Sequence, residues 1–370
     1  MDLRERIFFI ALANVKGINF PTAKALIEKY GSAEAIFSTD DLSLLDEFGE
    51  EHKIDLFKKS SREELLQFAD NEIDFIERND IIPVSFSCDN YPKRLLNCPD
   101  APILLYSKGC IDFNSSKYVS IVGTRHATEY GRDWCEKFVA ELGEMFPDVV
   151  IVSGLAYGID ICAHRAALEC GLNTVAVLAN PLNSIYPSTH RSTASKIIEN
   201  GALISEYSSD SPTLKANFVA RNRIVAGMSD ATIIVESKEK GGSLITAALA
   251  SDYSREVFAL PGNVDRESSQ GCNNLIRDNK AQLITSAKDL ANAMGWEALL
   301  TSKRVQNTLF PDFDDTEQQI IDIITKQKEI DINSLSEALS IATSKLLSSL
   351  MGLEFKGIIK SYPGNRYKMR

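Results

Sequence analysis

From Leu3 to about Asn79, apolar residues recur at helical spacing, in Ile7, Ile10 and Ala11, in Ala23, Leu26, Ile27 and Tyr30, and along a run from Ser61 to Arg78. The pattern predicts a small helical domain over residues 1–80. Within it, Val15-Lys16-Gly17-Ile18 followed by Ala23-Lys24-Ala25-Leu26 has the form of a helix-hairpin-helix, whose glycine turn lets backbone N–H groups approach a phosphate. A helical hairpin that only packs has the same form.

From about Ile81 to Ile284 short apolar runs alternate with helical stretches, the mark of βαβ units around a parallel sheet. Strands are expected at Tyr118–Val122, Val149–Val152, Thr174–Leu178, Ala202–Ser205, Ala231–Val235 and Glu256–Ala259. Helices are expected between them at Glu129–Met145, Ile159–Cys170, Thr189–Asn200, Val219–Gly227 and Ser243–Asp252. The fold class is therefore α/β, a Rossmann-like, doubly wound, mostly parallel sheet occupying residues 81–300. Such sheets bind ligands beyond the carboxyl ends of their strands, so function is sought in the loops leaving those ends.

A polar linker follows at 301–315. The tail at 316–370 then shows amphipathic segments at Glu317–Thr325, Ile332–Leu339 and Thr343–Glu354, and an apolar run ending at Tyr362 before a Pro363-Gly364-Asn365 turn. Three helices and a terminal hairpin predict a winged-helix domain.

Composition narrows the class without naming the partner. The 370 residues include 44% hydrophobic positions, which excludes a disordered or disulfide-stapled chain. The longest apolar runs fall far short of a membrane span, and Met1-Asp2-Leu3-Arg4-Glu5-Arg6 alternates charge where an export signal would be basic and then apolar. A cytoplasmic protein with no membrane association is expected. The seven cysteines form no CxxC and the four histidines are scattered, so reduced thiols, no metal and no cofactor are expected. A net charge of −11 argues against indiscriminate nucleic-acid binding but leaves room for a local basic groove.

Four loops carry the candidate chemistry. Gly123-Thr124-Arg125 ends the first strong strand with N–H groups, a hydroxyl and a guanidinium, the parts of an anion site. Ser153-Gly154-Leu155-Ala156-Tyr157-Gly158-Ile159-Asp160 has two glycines suited to a tight turn, but it is neither a dinucleotide fingerprint nor a Walker loop. His164, four residues beyond Asp160, shares a helix face with it, as a structural cap and contact rather than a catalytic pair. Lys215, Phe218, Arg221, Asn222 and Arg223 set three cations around an aromatic and an amide. Phosphates suit the cations and a base suits the ring, though a core phenylalanine with salt-bridged arginines fits the same residues. Gly241-Gly242-Ser243 opens a helix with free N–H groups and a hydroxyl. Four anion-suited loops on one sheet edge point to a phosphate-rich ligand.

In order along the chain, Ile121-Val122-Gly123-Thr124-Arg125, Ser153 to Asp160, Tyr186-Pro187, Ser205-Glu206, Phe218 with Arg221-Asn222-Arg223-Ile224-Val225-Ala226-Gly227, Gly242-Ser243-Leu244-Ile245-Thr246-Ala247 and Pro261-Gly262 resemble the DNA-processing protein A family, also called Smf. The resemblance implies a Rossmann-like domain that binds single-stranded DNA without chemistry. It further implies protection of incoming DNA in natural transformation, delivery to the RecA recombinase, and a homodimer. It places the strand on Arg125, Ser153, Gly154, Lys215 and Phe218. The chain departs from the family's habit at Ala179-Asn180-Pro181-Leu182-Asn183, where glycines are usual, at Ala220, and at Asn279-Lys280-Ala281.

Two other classes compete. A nucleotide phosphoribohydrolase on a similar fold would need a carboxylate near the ribose, for which Glu206, Glu236 or Asp160 could serve. A duplex-binding regulator would use the terminal domain, but its candidate recognition helix, Thr343–Glu354, contains Lys345 as its only cation. A non-enzymatic, strand-binding protein is the expectation.

Overall fold

The computed structural model describes residues 2–39, 59–115, 117–297 and 313–369. They fall into two compact units, Met1–Leu300 and Thr301–Arg370. The expected linker at 301–315 lies outside the described residues except for 313–315.

The first unit opens with helices α1 (Leu3–Ala13), α2 (Phe20–Tyr30), α3 (Ala33–Ser38) and α4 (Lys59–Arg78). Asp2, Asn19 and Ser32 start the first three by accepting a backbone N–H three residues on, which satisfies donors the helix itself cannot. Gly17 and Gly31 take left-handed φ values after α1 and α2. The helices bury Phe9, Leu12, Leu26, Ile36 and Ile76 in a core that also contains Ile81, Ile103, Leu104 and Tyr106. The helical segment is thus built onto the first strands of the sheet.

That sheet has nine strands, β1 (Ile82–Ser85), β2 (Leu104–Gly109), β3 (Tyr118–Gly123), β4 (Val150–Ser153), β5 (Asn173–Val177), β6 (Gly201–Ser205), β7 (Ala231–Val235), β8 (Glu256–Ala259) and β9 (Gln282–Leu283). Their order is β1-β2-β6-β5-β4-β3-β7-β8-β9. All neighbours from β6 to β9 are parallel, and β2 and β1 add an antiparallel edge. The sheet therefore confirms the expected doubly wound, mostly parallel class. β1, β2 and β9 are additions to the expected strands; β1 holds Pro83, which an edge strand tolerates, and β9 is two residues long.

Both faces are covered, which is why the strands read as continuous apolar runs. Tyr118, Val122, Val150, Val152, Val175 and Ile234 pack on one face with Ile224, Val225, Ala247 and Cys272. Val119, Ile121, Ile151 and Ile233 pack on the other with Cys135, Phe138, Leu142, Ala163 and Leu290. The crossovers are α5 (Glu129–Met145), α6 (Ile159–Glu169), α7 (Arg191–Glu199), α8 (Lys215–Ala220), α9 (Asn222–Gly227) and α10 (Ser243–Asp252); α11 (Glu267–Arg277) and α12 (Ala287–Met294) follow β8 and β9. The single helix expected at Val219–Gly227 is instead two short ones that meet at Arg221. From β3 the chain winds through β4, β5 and β6, then returns to β7 on the other side of β3. The crevice beyond β3 and β7 is the topological switch point.

In the second unit, α13 (Asp315–Gln327), β10 (Ile330–Asp331), α14 (Ile332–Leu339), α15 (Thr343–Phe355), β11 (Ile359–Tyr362) and β12 (Arg366–Met369) follow in order. The strands form a three-stranded antiparallel sheet, β10-β12-β11. Ile320, Ile324, Leu335, Leu346, Leu350, Leu353 and Tyr367 are its core.

Candidate nucleic-acid interface

The loops leaving β3 and β4 pack directly on one another. A Cβ on Gly123 would lie 1.9 Å from the Val235 carbonyl oxygen, and one on Gly158, where φ is +80°, would lie 2.1 Å from that of Thr124. Only glycine allows this approach. The Thr124 N–H donates to Glu236 O at 2.9 Å and the Ile159 N–H to Thr124 O at 3.2 Å, so the backbone of the β3 loop is fixed from both sides. Arg125 is the residue thrown outward. Its guanidinium lies 5.7 Å from the centre of the Phe218 ring, a cation–π arrangement.

Phe218 is half-buried on α8 and meets Tyr186 edge to face, with ring centres 5.3 Å apart. Tyr186 is 53% exposed and Tyr157, on the β4 loop, 47% exposed. Tyr157 rests on His190 at 5.0 Å, and His190 is fixed through Nδ1 to Leu155 O at 2.8 Å. Lys215 is exposed at the start of α8 and has no ion-pair partner among the described residues. Arg125, Lys215, Phe218, Tyr186 and Tyr157 thus place open cations and aromatic faces on the loops that follow β3 to β6. Sequence reasoning assigned no role to either tyrosine. The signal available was an aromatic next to a loop glycine or proline, where a core position is hard to build.

The other expected residues are turned inward, and each has a physical reason. The Ser153 hydroxyl, fully buried, donates to Ile121 O at 2.6 Å. Gly154 was expected to let a phosphate approach, but the structure puts the Arg221 guanidinium there: a Cβ on Gly154 would lie 2.3 Å from Arg221 Nη2. Arg221, 4% exposed, donates through Nη1 to Gly154 O at 2.7 Å and to Val177 O, and through Nε to Asn222 Oδ1 at 3.3 Å. Arg223 pairs with Glu206. Of the three cations in the segment, Lys215 alone faces solvent; Arg223 is salt-bridged, as the alternative has it, while Arg221 is held by backbone carbonyls instead.

The Gly241-Gly242-Ser243 turn also closes on itself. The Gly241 N–H donates to Lys238 O at 3.0 Å, and the buried Ser243 hydroxyl donates to Ser237 Oγ at 2.9 Å. Beside it Glu236, at the end of β7, is 3% exposed and accepts from the Thr128 N–H at 2.8 Å and hydroxyl at 2.6 Å.

Asp160 and His164 are not a pair. Asp160 accepts from the N–H groups of Gly154 (3.1 Å) and Ala156 (3.4 Å). Burial pushes its carboxyl up, while Arg221 and those two amides pull it back toward the charged form. Burial also lowers Arg221, and Asp160 opposes that shift. His164 Nδ1 meets Thr174 Oγ1 at 2.7 Å, and burial, with Arg221 and His190 nearby, lowers its pKa to about 3. It is a neutral core histidine. The Ala179–Asn183 loop, where the sequence departs from the family's glycines, is fastened by Asn180, which donates to Pro181 O and Ser184 O and accepts from the Ser205 hydroxyl. Among the described residues no group of three acidic, histidine or cysteine side chains could hold a metal.

Comparison with known proteins gives this architecture a family. The model of the DNA recombination-mediator protein A family matches residues 83–295. Protein Smf of Synechocystis is 30% identical over 99% of both chains, and the DNA processing protein DprA of Streptococcus pneumoniae is 40% identical over 55% of this chain and 70% of its own. The X-ray structure of the S. pneumoniae protein aligns with a TM-score of 0.59 at 33% identity, covering 70% of this chain and 96% of that one. A Helicobacter pylori DNA processing protein A, whose structure describes a single-stranded DNA binding mode, aligns at 0.53 and 31% identity over 59% and 97%. The chain belongs to the DNA recombination-mediator protein A family, the DprA/Smf proteins.

Proposed function

We propose that this chain binds single-stranded DNA without chemistry, through the carboxyl edge of its central sheet. The observation that carries this reading is the aromatic pair of half-buried Phe218 and exposed Tyr186 beside the open cations Arg125 and Lys215. Aromatic faces accept any base, and cations track phosphates, which together suit a strand of arbitrary sequence. The carboxylates a phosphoribohydrolase would need support the same side: Asp160 and Glu236 hold backbone amides, and Glu206 holds Arg223.

Protection of incoming DNA in transformation, delivery to RecA and a homodimeric state belong to the same proposal and rest on family membership. So does work in the cytoplasm; no helix among the described residues is long and apolar enough to cross a membrane. The order helix, strand, two helices, two strands supports a winged helix for residues 316–370. That domain is proposed as accessory, since the open cations and aromatics lie on the first unit.

The test is a gel-shift comparison of single-stranded DNA, duplex DNA and mononucleotides, with and without magnesium. Preferential retention of the single strand, with every ligand recovered intact, is expected. Turnover of a mononucleotide or cleavage of the strand overturns the proposal.

A further inference from the structure

We infer that Glu72, on α4 of the N-terminal helical segment, is a positioning residue for the strand-binding helix α8; the inference rests on the strand-binding function proposed above. α8 is six residues long, and Asn217 is its one fully buried side chain, while Leu214 before it and Val219 within it are 54% and 49% exposed. A helix with so little apolar anchorage takes its place from polar ties. Those ties are in the irregular segment between β6 and α8. The Glu72 carboxylate, 2% exposed, accepts the Ser209 N–H at 2.9 Å and the Ser209 hydroxyl. Asn183 donates to Ser209 O at 2.8 Å, and the Asn217 amide donates back to Pro212 O at 3.1 Å. Ser209 is therefore held on both its N–H and its C=O, and six residues later the chain presents Lys215, then Phe218.

The assignment makes a prediction of unusual sign. An acidic side chain that acts only through its charge disfavours DNA, so its removal would tighten binding. A positioning residue does the opposite when truncated. A glutamine, which can accept from the Ser209 N–H and donate to its hydroxyl, should restore the tie.

The experiment uses the full chain and a labelled oligothymidylate in a salt series. Glu72→Ala should bind about five- to tenfold more weakly, the worth of a charge-assisted hydrogen-bond pair, at an unchanged salt slope. Glu72→Gln should stay within about twofold of the wild type, and Ser209→Ala, which loses one bond, about two- to threefold below it. In a Phe218→Ala background, Glu72→Ala should cost less than about a further twofold, because of the two groups it positions the stacking ring is gone and only Lys215 is left. Equal or tighter binding by Glu72→Ala, or the same fold-loss in the Phe218→Ala background, overturns the positioning role. If Glu72→Ala does not fold, Ser209→Ala decides, and unaltered binding by it is equally fatal. A wild-type chain that fails to retain the oligothymidylate sinks the strand-binding proposal itself, whereas wild-type binding with an indifferent Glu72→Ala sinks only this inference.

Discussion

On the loops after β3 to β6, the side chains at the surface are Arg125, Tyr157, Tyr186, Lys215 and Phe218; at the carboxyl end of β7, the Glu236 carboxylate is held by Thr128 of the β3 loop and the Ser243 hydroxyl is turned onto Ser237. Both regions carry a glycine-rich loop after a buried strand, and both looked equally suited to an anion. The difference lies in what satisfies the backbone. Behind Arg125 and Phe218, the buried Arg221 occupies Gly154 O and Val177 O, which frees the outer layer to face a ligand. At β7 the polar side chains themselves are drawn inward, Glu236 onto Thr128 and Ser243 onto Ser237. A glycine-rich loop thus marks close approach, and the approaching group can be the protein's own guanidinium.

The contrast is broken most directly at Arg221. Its truncation to alanine should cost about 1–3 kcal/mol of folding stability for each of the two buried carbonyls it leaves without a donor, Gly154 O and Val177 O, whereas Arg125→Ala should leave the denaturant midpoint almost unchanged. Chemical denaturation of the two variants side by side is the check; equal stability would move Arg221 to the ligand face.

Phe218→Ala comes next. It should cost about 1–3 kcal/mol of strand affinity through lost stacking at an unchanged salt slope, and Tyr186→Ala a smaller part of the same, read by fluorescence anisotropy. A melting temperature that drops while affinity stays intact would make Phe218 a packing residue.

The buried layer also has a pH signature. His164 is lowered to about 3 in the folded chain, against about 6.5 when unfolded. Between those values the unfolded state binds the extra proton, so stability falls as pH falls through this window, by up to about 1.36 kcal/mol per unit. His164→Gln should flatten that fall by about one proton, as measured by denaturation at several pH values; a parallel curve would refute the assignment.

Smaller still are the open cations. Arg125→Ala and Lys215→Ala should each weaken binding to all sequences and reduce the slope of log affinity against log salt by about 0.7. Ser243→Ala should change affinity by less than about 0.5 kcal/mol, because its hydroxyl faces Ser237. A larger loss would show that the β7 turn opens on binding and would erase the contrast between the two regions.

Much of this was legible along the chain. Continuous apolar strands separated by amphipathic helices determine a parallel sheet covered on both faces, because each strand must bury both sides of its pleat. The ordered blocks from Gly123 to Gly262 determine the family, and the outward-facing Arg125, Lys215 and Phe218 were marked by their setting after strands. The edge strands β1 and β9 were not legible, since short segments at a rim need no distinctive pattern.

Direction was decided only in three dimensions. Lys215, Arg221 and Arg223 stand within nine residues of one another and read alike, yet one faces solvent, one fills the space over Gly154 and one pairs with Glu206. Tyr186 joins Phe218, and Glu72 reaches Ser209 across more than a hundred residues, through contacts that no local spacing encodes. Periodicity reports which face of an element is apolar. The partner a charged side chain finds depends on which backbone groups remain unsatisfied where distant segments meet, and the fold alone sets that.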